Sequence, residues 1–114
     1  MKSIALKENK DFRRLYYRGK SEAASCLVTY VMKSNFSVTR VGITSGKKIG
    51  NAVKRNRARR LIRAAFSEYE GRLNGYYDIV FVARTRTAQV KMQDVQRQME
   101  EQLRKLGVLS EKAD

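Results

Sequence analysis

Lys47-Lys48-Ile49-Gly50-Asn51-Ala52-Val53-Lys54-Arg55-Asn56-Arg57-Ala58-Arg59-Arg60-Leu61-Ile62-Arg63 holds eight of the ten Lys and Arg residues between Glu22 and Glu68, and no acid interrupts them. Asn51 is suited to cap a helix, and the residues after it have a helical period. That helix is expected from Ala52 to about Tyr69, ending near Gly71. Turned by about 100° per residue, it gathers Val53, Ala58, Leu61, Ile62, Ala65 and Tyr69 on one side, the face for a sheet. Asn56, Arg59, Arg60 and Arg63 gather on the other as a ridge at i, i+3, i+4 and i+7. Like-charge pairs such as Arg55/Arg59 and Arg59/Arg63 each cost a helix roughly 0.2–0.5 kcal/mol. Solvated charged faces normally mix signs, and this one does not. A polyanion is therefore expected against it.

Working outward, Ile79-Val80-Phe81-Val82-Ala83 is apolar without alternation, as in a strand buried on both faces. Before the helix, Val38–Thr44 reads as a strand, preceded by the turn-like Ser34-Asn35-Phe36-Ser37 and by a strand at Cys26–Met32. Gly46 and Gly50 punctuate the loop around Lys47 and Lys48. Strand, helix, strand make a β-α-β unit, right-handed by chain sterics if its strands are parallel. Asn9 is expected to cap a short helix bearing Phe12, Leu15 and Tyr16 and stopped by Gly19. Met92, Val95, Met99, Leu103 and Leu106 form one stripe of a last helix that stops at Gly107. Val108–Asp114 has no such stripe and is expected to be a flexible tail. One α+β domain over residues 1–107 is the reading.

The composition limits the chemistry. The chain has 114 residues, a formal charge of +14, 42% apolar residues, one cysteine (Cys26) and no histidine. That is enough apolar content for a folded domain, and the charge points to nucleic acid or an anionic membrane. Structural zinc and Ser-His or Cys-His nucleophiles are excluded. The acids lie toward the two ends; Asp94, Glu100 and Glu101 come nearest to a cluster and read as a solvated face. With no signal-like or membrane-spanning run and no disulfide framework, an intracellular soluble protein is expected.

Aromatic residues complete the picture. Phe12 and Tyr16 lie one helical turn apart, and Tyr30 shares a strand face with Cys26, Val28 and Met32. If the two faces meet, they line a groove on which unpaired bases can stack, at roughly 1–3 kcal/mol each; otherwise Phe12 and Tyr16 belong to the core. Gly42-x-x-x-Gly46-Lys47-Lys48 has the wrong spacing for a phosphate-cradling nucleotide loop and lacks its Ser or Thr. Membrane binding by the basic helix is disfavoured, because its other face carries no Trp or Phe wedge.

Residues 47–63 resemble the signature of the protein component of bacterial ribonuclease P, Lys-Lys-x-Gly-x-Ala-Val-x-Arg-Asn-x-x-(Lys/Arg)-Arg-x-x-Arg. The likeness extends to Leu6, Asp11 and Phe12, to Arg40-Val41-Gly42 and to Asp78-Ile79-Val80, and so covers the chain up to about Gly107. One position departs: Gly46 stands where the resemblance implies a small hydroxyl residue. The resemblance implies a ribosomal-protein-like α+β fold, a mixed sheet packed against helices in the order α-β-β-β-α-β-α. It also implies a left-handed β-α-β crossover, against the hand that sterics favour. It further implies a non-catalytic subunit of a cytoplasmic ribonucleoprotein, whose RNA uses Mg²⁺ to remove the 5′ leader of precursor tRNA. The partners implied are that catalytic RNA and precursor tRNA, with no membrane and no obligate protein partner.

By position, the resemblance puts RNA binding on Lys48, Arg55, Asn56, Arg59, Arg60 and Arg63; Lys47, Asn51, Lys54 and Arg57 of the same basic helix and its approach are expected to bind RNA with them. It assigns Phe12, Tyr16, Val28 and Tyr30 to a cleft for the single-stranded leader. Mg²⁺ is expected on the RNA and substrate, not at a dedicated protein site. Two other readings use the same composition. One is a structural RNA-binding protein of ribosomal type; the other is a stand-alone Mg²⁺ nuclease built on Asp78 or Asp94.

Overall fold

A computed structural model of the chain describes residues 3–110. Its centre is the apolar run around Ile79, which forms a strand, Tyr77–Ala83, whose residues are buried on both faces as expected. This strand (β5) lies between Arg40–Thr44 (β4), which runs parallel to it, and Leu27–Lys33 (β3), which runs antiparallel. Two further strands close the sheet at its edges: Ile4–Ala5 (β1) beside β4 and Lys20–Ala23 (β2) beside β3, giving the order β1-β4-β5-β3-β2. The sequence reading located neither edge strand, because two and four mostly exposed residues have no apolar alternation to detect. Strand β1 also precedes the first expected helix and so adds an element to the expected order.

The three helices are Asn9–Arg18 (α1), Ala52–Ser67 (α2) and Met92–Lys105 (α3). Helices α2 and α3 cover one face of the sheet and form the main core, in which Ala58, Ile62, Ala65 and Phe66 meet Val31, Ile79, Phe81, Met99 and Leu103. Helix α1 covers the other face with a much smaller cluster around Leu6, Leu15 and Val80. Among the described residues no helix is long and apolar enough to cross a membrane.

Several expectations are corrected. Helix α1 begins at Asn9 itself, with Glu8 at the N-cap and no side-chain cap, so Asn9 does not cap it. Strand β3 starts one residue late, and Cys26 leaves the Tyr30 face: its amide and thiol both donate to Gln98 Oε1 of α3, at 3.0 Å each. Val53 is 73% exposed rather than directed at the sheet, because α2 first meets the core at Ala58. The core-facing side of α2 includes Phe66, which is buried with its ring centroid 5.3 Å from that of Phe81. The expected tail is anchored at its start. Gly107 turns the chain at φ 77° and Val108 and Leu109 are buried, while the amide of Ser110 donates to the Arg72 carbonyl at 2.8 Å. Residues 111–114 lie outside the described residues.

Candidate nucleic-acid interface

The α1 face of the sheet is organised in rows across the three central strands. Gly42, Val80 and Tyr30 are register partners and form the middle row. Helix α1 lies over it. The ring of Phe12 sits above Gly42 so closely that a Cβ there would meet it at 2.6 Å. Leu15 packs with Val80, and Tyr16 meets Tyr30 edge-to-face at 4.9 Å. Glycine in a strand is often the mark of such an approach. Phe12 and Tyr16 are 6.5 Å apart, so Phe12, Tyr16 and Tyr30 make one aromatic band. Val28 belongs to the next row, with Val82 and Thr44, which continues the same face as a half-buried floor. The four expected cleft residues therefore share one side of the sheet. Phe12 both seats α1 over Gly42 and lines the open gap beside β4.

The row on the other side, Arg40, Asp78 and Met32, is ionic at its centre. Arg40 donates from Nε and Nη2 to the two carboxylate oxygens of Asp78 at 2.9 and 2.7 Å, and from Nη1 to Asp11 at 3.3 Å. Arg14 reaches Asp11 and Asp78 as well, at 3.3 Å each. The hydrogen bond with Asp78 pushes the Arg40 guanidinium further up from its ordinary value. This network ties α1 to β4 and β5, and sequence reasoning did not place it, since Asp and Arg read as surface residues. It also answers the nuclease reading. Asp78 is 1% exposed and ion-paired with Arg40 and Arg14, which leaves no open position for a metal or a water. Asp94 accepts from the Lys91 amide and Arg97, each at 3.3 Å, at the start of α3. The one thiol, Cys26, is buried, and burial pushes its pKa up, away from a reactive thiolate.

The basic segment divides into parts with different tasks. Asn51 caps α2, its Oδ1 accepting from the Lys54 amide at 3.0 Å. Before it, Lys47–Ile49 form one 3₁₀ turn pinned by buried Ile49, with Lys47 and Lys48 exposed. Gly50 makes the junction at φ 131° and ψ −150°, a conformation open essentially to glycine alone. Lys54 lies against this glycine. Arg57 points away from the ridge and donates to the Ala88 carbonyl at 3.1 Å. Arg55 is half-buried. The remaining four, Asn56, Arg59, Arg60 and Arg63, are exposed along one side, as their spacing predicted. Asn56 accepts from Arg59 at 2.9 Å, which orients that guanidinium.

This ridge and the aromatic band meet at the β4 edge. Strand β1 pairs only with Arg40 and Val41, so beyond Leu6 the outer side of β4 is left open between α1 and α2. A groove of about 890 Å³ occupies the gap. Phe12 of α1 lines it with Gly42 and Ile43 of β4, and Asn56, Arg59, Arg60 and Arg63 line it from α2. At its far end Glu70 is engaged by the amide and hydroxyl of Ser3, each at 2.6 Å. Guanidinium forks on a rigid helix beside an aromatic wall suit phosphates and unpaired bases at once. The short β1 and the role of Gly42 carry no sequence signal of their own.

Comparison with known proteins agrees with this geometry. The chain is 34% identical over 105 residues to the ribonuclease P protein component of Alkaliphilus metalliredigens, covering 92% of this chain and 95% of that one. It is 36% identical over 104 residues to the ribonuclease P protein component of Clostridioides difficile, covering 90% and 91%. The RNase P protein of Staphylococcus aureus superposes with a TM-score of 0.83 at 32% identity, over 96% of this chain and all of that one. Superposition preserves hand, so the parallel β4-α2-β5 crossover has the hand of that structure, and the expectation from chain sterics gives way to it. The Ribonuclease P family model matches residues 1–107, and the chain belongs to that family.

Proposed function

We propose that this chain binds the catalytic RNA of ribonuclease P through the α2 ridge and holds the single-stranded 5′ leader of precursor tRNA on the α1 face. The observation that carries this reading is the shared groove, in which Phe12 faces Asn56, Arg59, Arg60 and Arg63. The cations neutralise phosphates where the two RNAs meet, and Lys47 and Lys48 extend that field at the approach to α2. Bases of the leader stack on Phe12, Tyr16 and Tyr30 and rest on the floor that Val28 continues. Mature tRNA has no leader and gains nothing from this surface, so the protein favours substrate over product.

Cleavage in this reading belongs to the RNA. Asp11 and Asp78 are locked by arginines, and among the described residues no group of three acids or thiols gathers to hold a metal. Mg²⁺ in this reading is held by RNA and substrate phosphates. The protein lowers the concentration required by neutralising charge and by binding the leader nearby. Acting on precursor tRNA places the work in the cytoplasm.

The test is reconstitution with a bacterial ribonuclease P RNA, followed by processing of precursor tRNA at low Mg²⁺. The expected result is faster processing and tighter binding of precursor than of mature tRNA. Equal binding of the two would overturn the leader role and favour a general structural RNA-binding protein.

A further inference from the structure

Among the described residues Tyr17, Phe36 and Tyr76 belong to neither the leader site nor the main core, and Tyr17 is the most exposed of the three. Tyr17 of α1 is 89% exposed. It touches neither the aromatic band nor the α2 ridge, and burial gives no reason for a tyrosine there. Its neighbours on the outward side of the helix are Lys10, Arg13 and Arg18, all exposed. Among the described residues these three cations have no ion-pair or hydrogen-bond partner. The acid of the helix, Asp11, is turned inward onto Arg40 and Arg14. Lys10 sits at the helix end whose dipole disfavours a cation, and no acid of the helix offsets Lys10, Arg13 or Arg18 on this side. Cations left without a partner along one side of a helix suit a polyanion.

Tyr16 connects this side to the cleft. It forms the edge-to-face pair with Tyr30, and it also lines a shallow hollow of about 700 Å³ with Lys10, Arg13, Arg14, Tyr17 and Arg18. A strand leaving the aromatic band past Tyr16 meets Tyr17 next, with cations on both sides. We propose that this outward face of α1 is a second contact for single-stranded RNA, taking leader nucleotides beyond those held in the cleft. The inference rests on the leader-binding reading above and extends it. The chemistry is one base stacked on the Tyr17 ring and phosphates paired with Lys10, Arg13 and Arg18. A duplex does not fit, because its bases present no free face to the ring. A membrane is disfavoured, because among the described residues this face offers only Tyr17 and part of Tyr16 as apolar surface.

The experiment measures the affinity of the reconstituted holoenzyme for precursor tRNAs whose leaders increase in length. Wild-type protein is expected to gain affinity as the leader lengthens, in two increments. Tyr17→Ala is expected to remove the second increment, about fivefold for the stack that alanine cannot make, and to keep the short-leader affinity. Tyr17→Phe keeps both. Arg13→Gln with Arg18→Gln is expected to flatten the salt dependence of the long-leader complex alone, by roughly 0.7 log units per tenfold salt for each phosphate left without its arginine. An unchanged long-leader affinity in Tyr17→Ala overturns the proposal. So does an equal loss on short and long leaders, or weaker binding of the catalytic RNA, which would assign this face to that RNA. If wild-type protein gains nothing from any leader, the underlying leader reading fails as well, and the two failures are thereby told apart.

Discussion

The two faces of the sheet are built on different terms. On the α2/α3 side, apolar side chains from two helices interlock with Val31, Ile79 and Phe81, and solvent is excluded. On the α1 side one short helix crosses a single row of the sheet. The fully buried apolar cluster there is little more than Leu6, Leu15 and Val80, and an Asp-Arg network holds the helix in place. Stability is concentrated on the first face, which leaves aromatic rings on the second half-open to a ligand. An ionic tether suits such a face: it fixes the helix axis without covering the rings, where more apolar packing would bury them.

The largest effect expected from this contrast is on the closed face. Phe81→Ala removes a fully buried ring that packs on Phe66 and should cost about 3–5 kcal/mol in denaturant unfolding. A loss below about 1 kcal/mol would break the comparison.

Next in size is the binding ridge. Arg59→Gln, Arg60→Gln and Arg63→Gln together should leave unfolding nearly unchanged, since all three are exposed. They should also make the salt dependence of catalytic-RNA affinity shallower by roughly 2 log units per tenfold salt. An unaltered slope would remove the ridge from the interface.

Gly42→Ala sharpens the contrast on the open face. Its methyl group would stand 2.6 Å from the Phe12 ring, so Phe12 must move. A loss of about 1–3 kcal/mol is expected, together with weaker discrimination of precursor from mature tRNA. Intact discrimination would show that Phe12 does not need its present position.

The smallest effect concerns a polar contact at the margin of the closed face. The Tyr69 hydroxyl donates to the Gln96 carbonyl and to Glu100, each at 3.1 Å. Burial, then the Glu100 carboxylate, pushes its pKa up to about 12. The folded state therefore holds this proton more tightly than the unfolded chain does. The contribution is complete below about pH 10 and is lost as the pH rises toward about 12. Tyr69→Phe should cost about 1 kcal/mol at neutral pH and flatten the alkaline decline, as followed by unfolding at stepped pH. A decline of unchanged steepness would assign it to other groups.

Much of the molecule is legible in the residues. The Asn51 cap, the Asn56-Arg59-Arg60-Arg63 ridge, the buried run at Ile79 and the stripe of α3 follow from period and charge, which are local properties. Local signals failed where a role depends on a distant partner. Val53 has the apolar spacing but no core opposite it, and Cys26 alternates with Val28 yet turns to Gln98. Val108 and Leu109 lack a stripe of their own but pair with the chain at Leu73 and Asn74.

Charge and helical period alone established that this chain carries a cationic ridge and a domain able to fold beneath it, because both depend on neighbours within a few residues. That the ridge shares a groove with Phe12 was decided by tertiary structure, as were the seat of that ring on Gly42 and the burial of Asp78 under two arginines. Each of these depends on strands meeting in register, and pairings between residues so far apart in the chain leave no periodic trace in it.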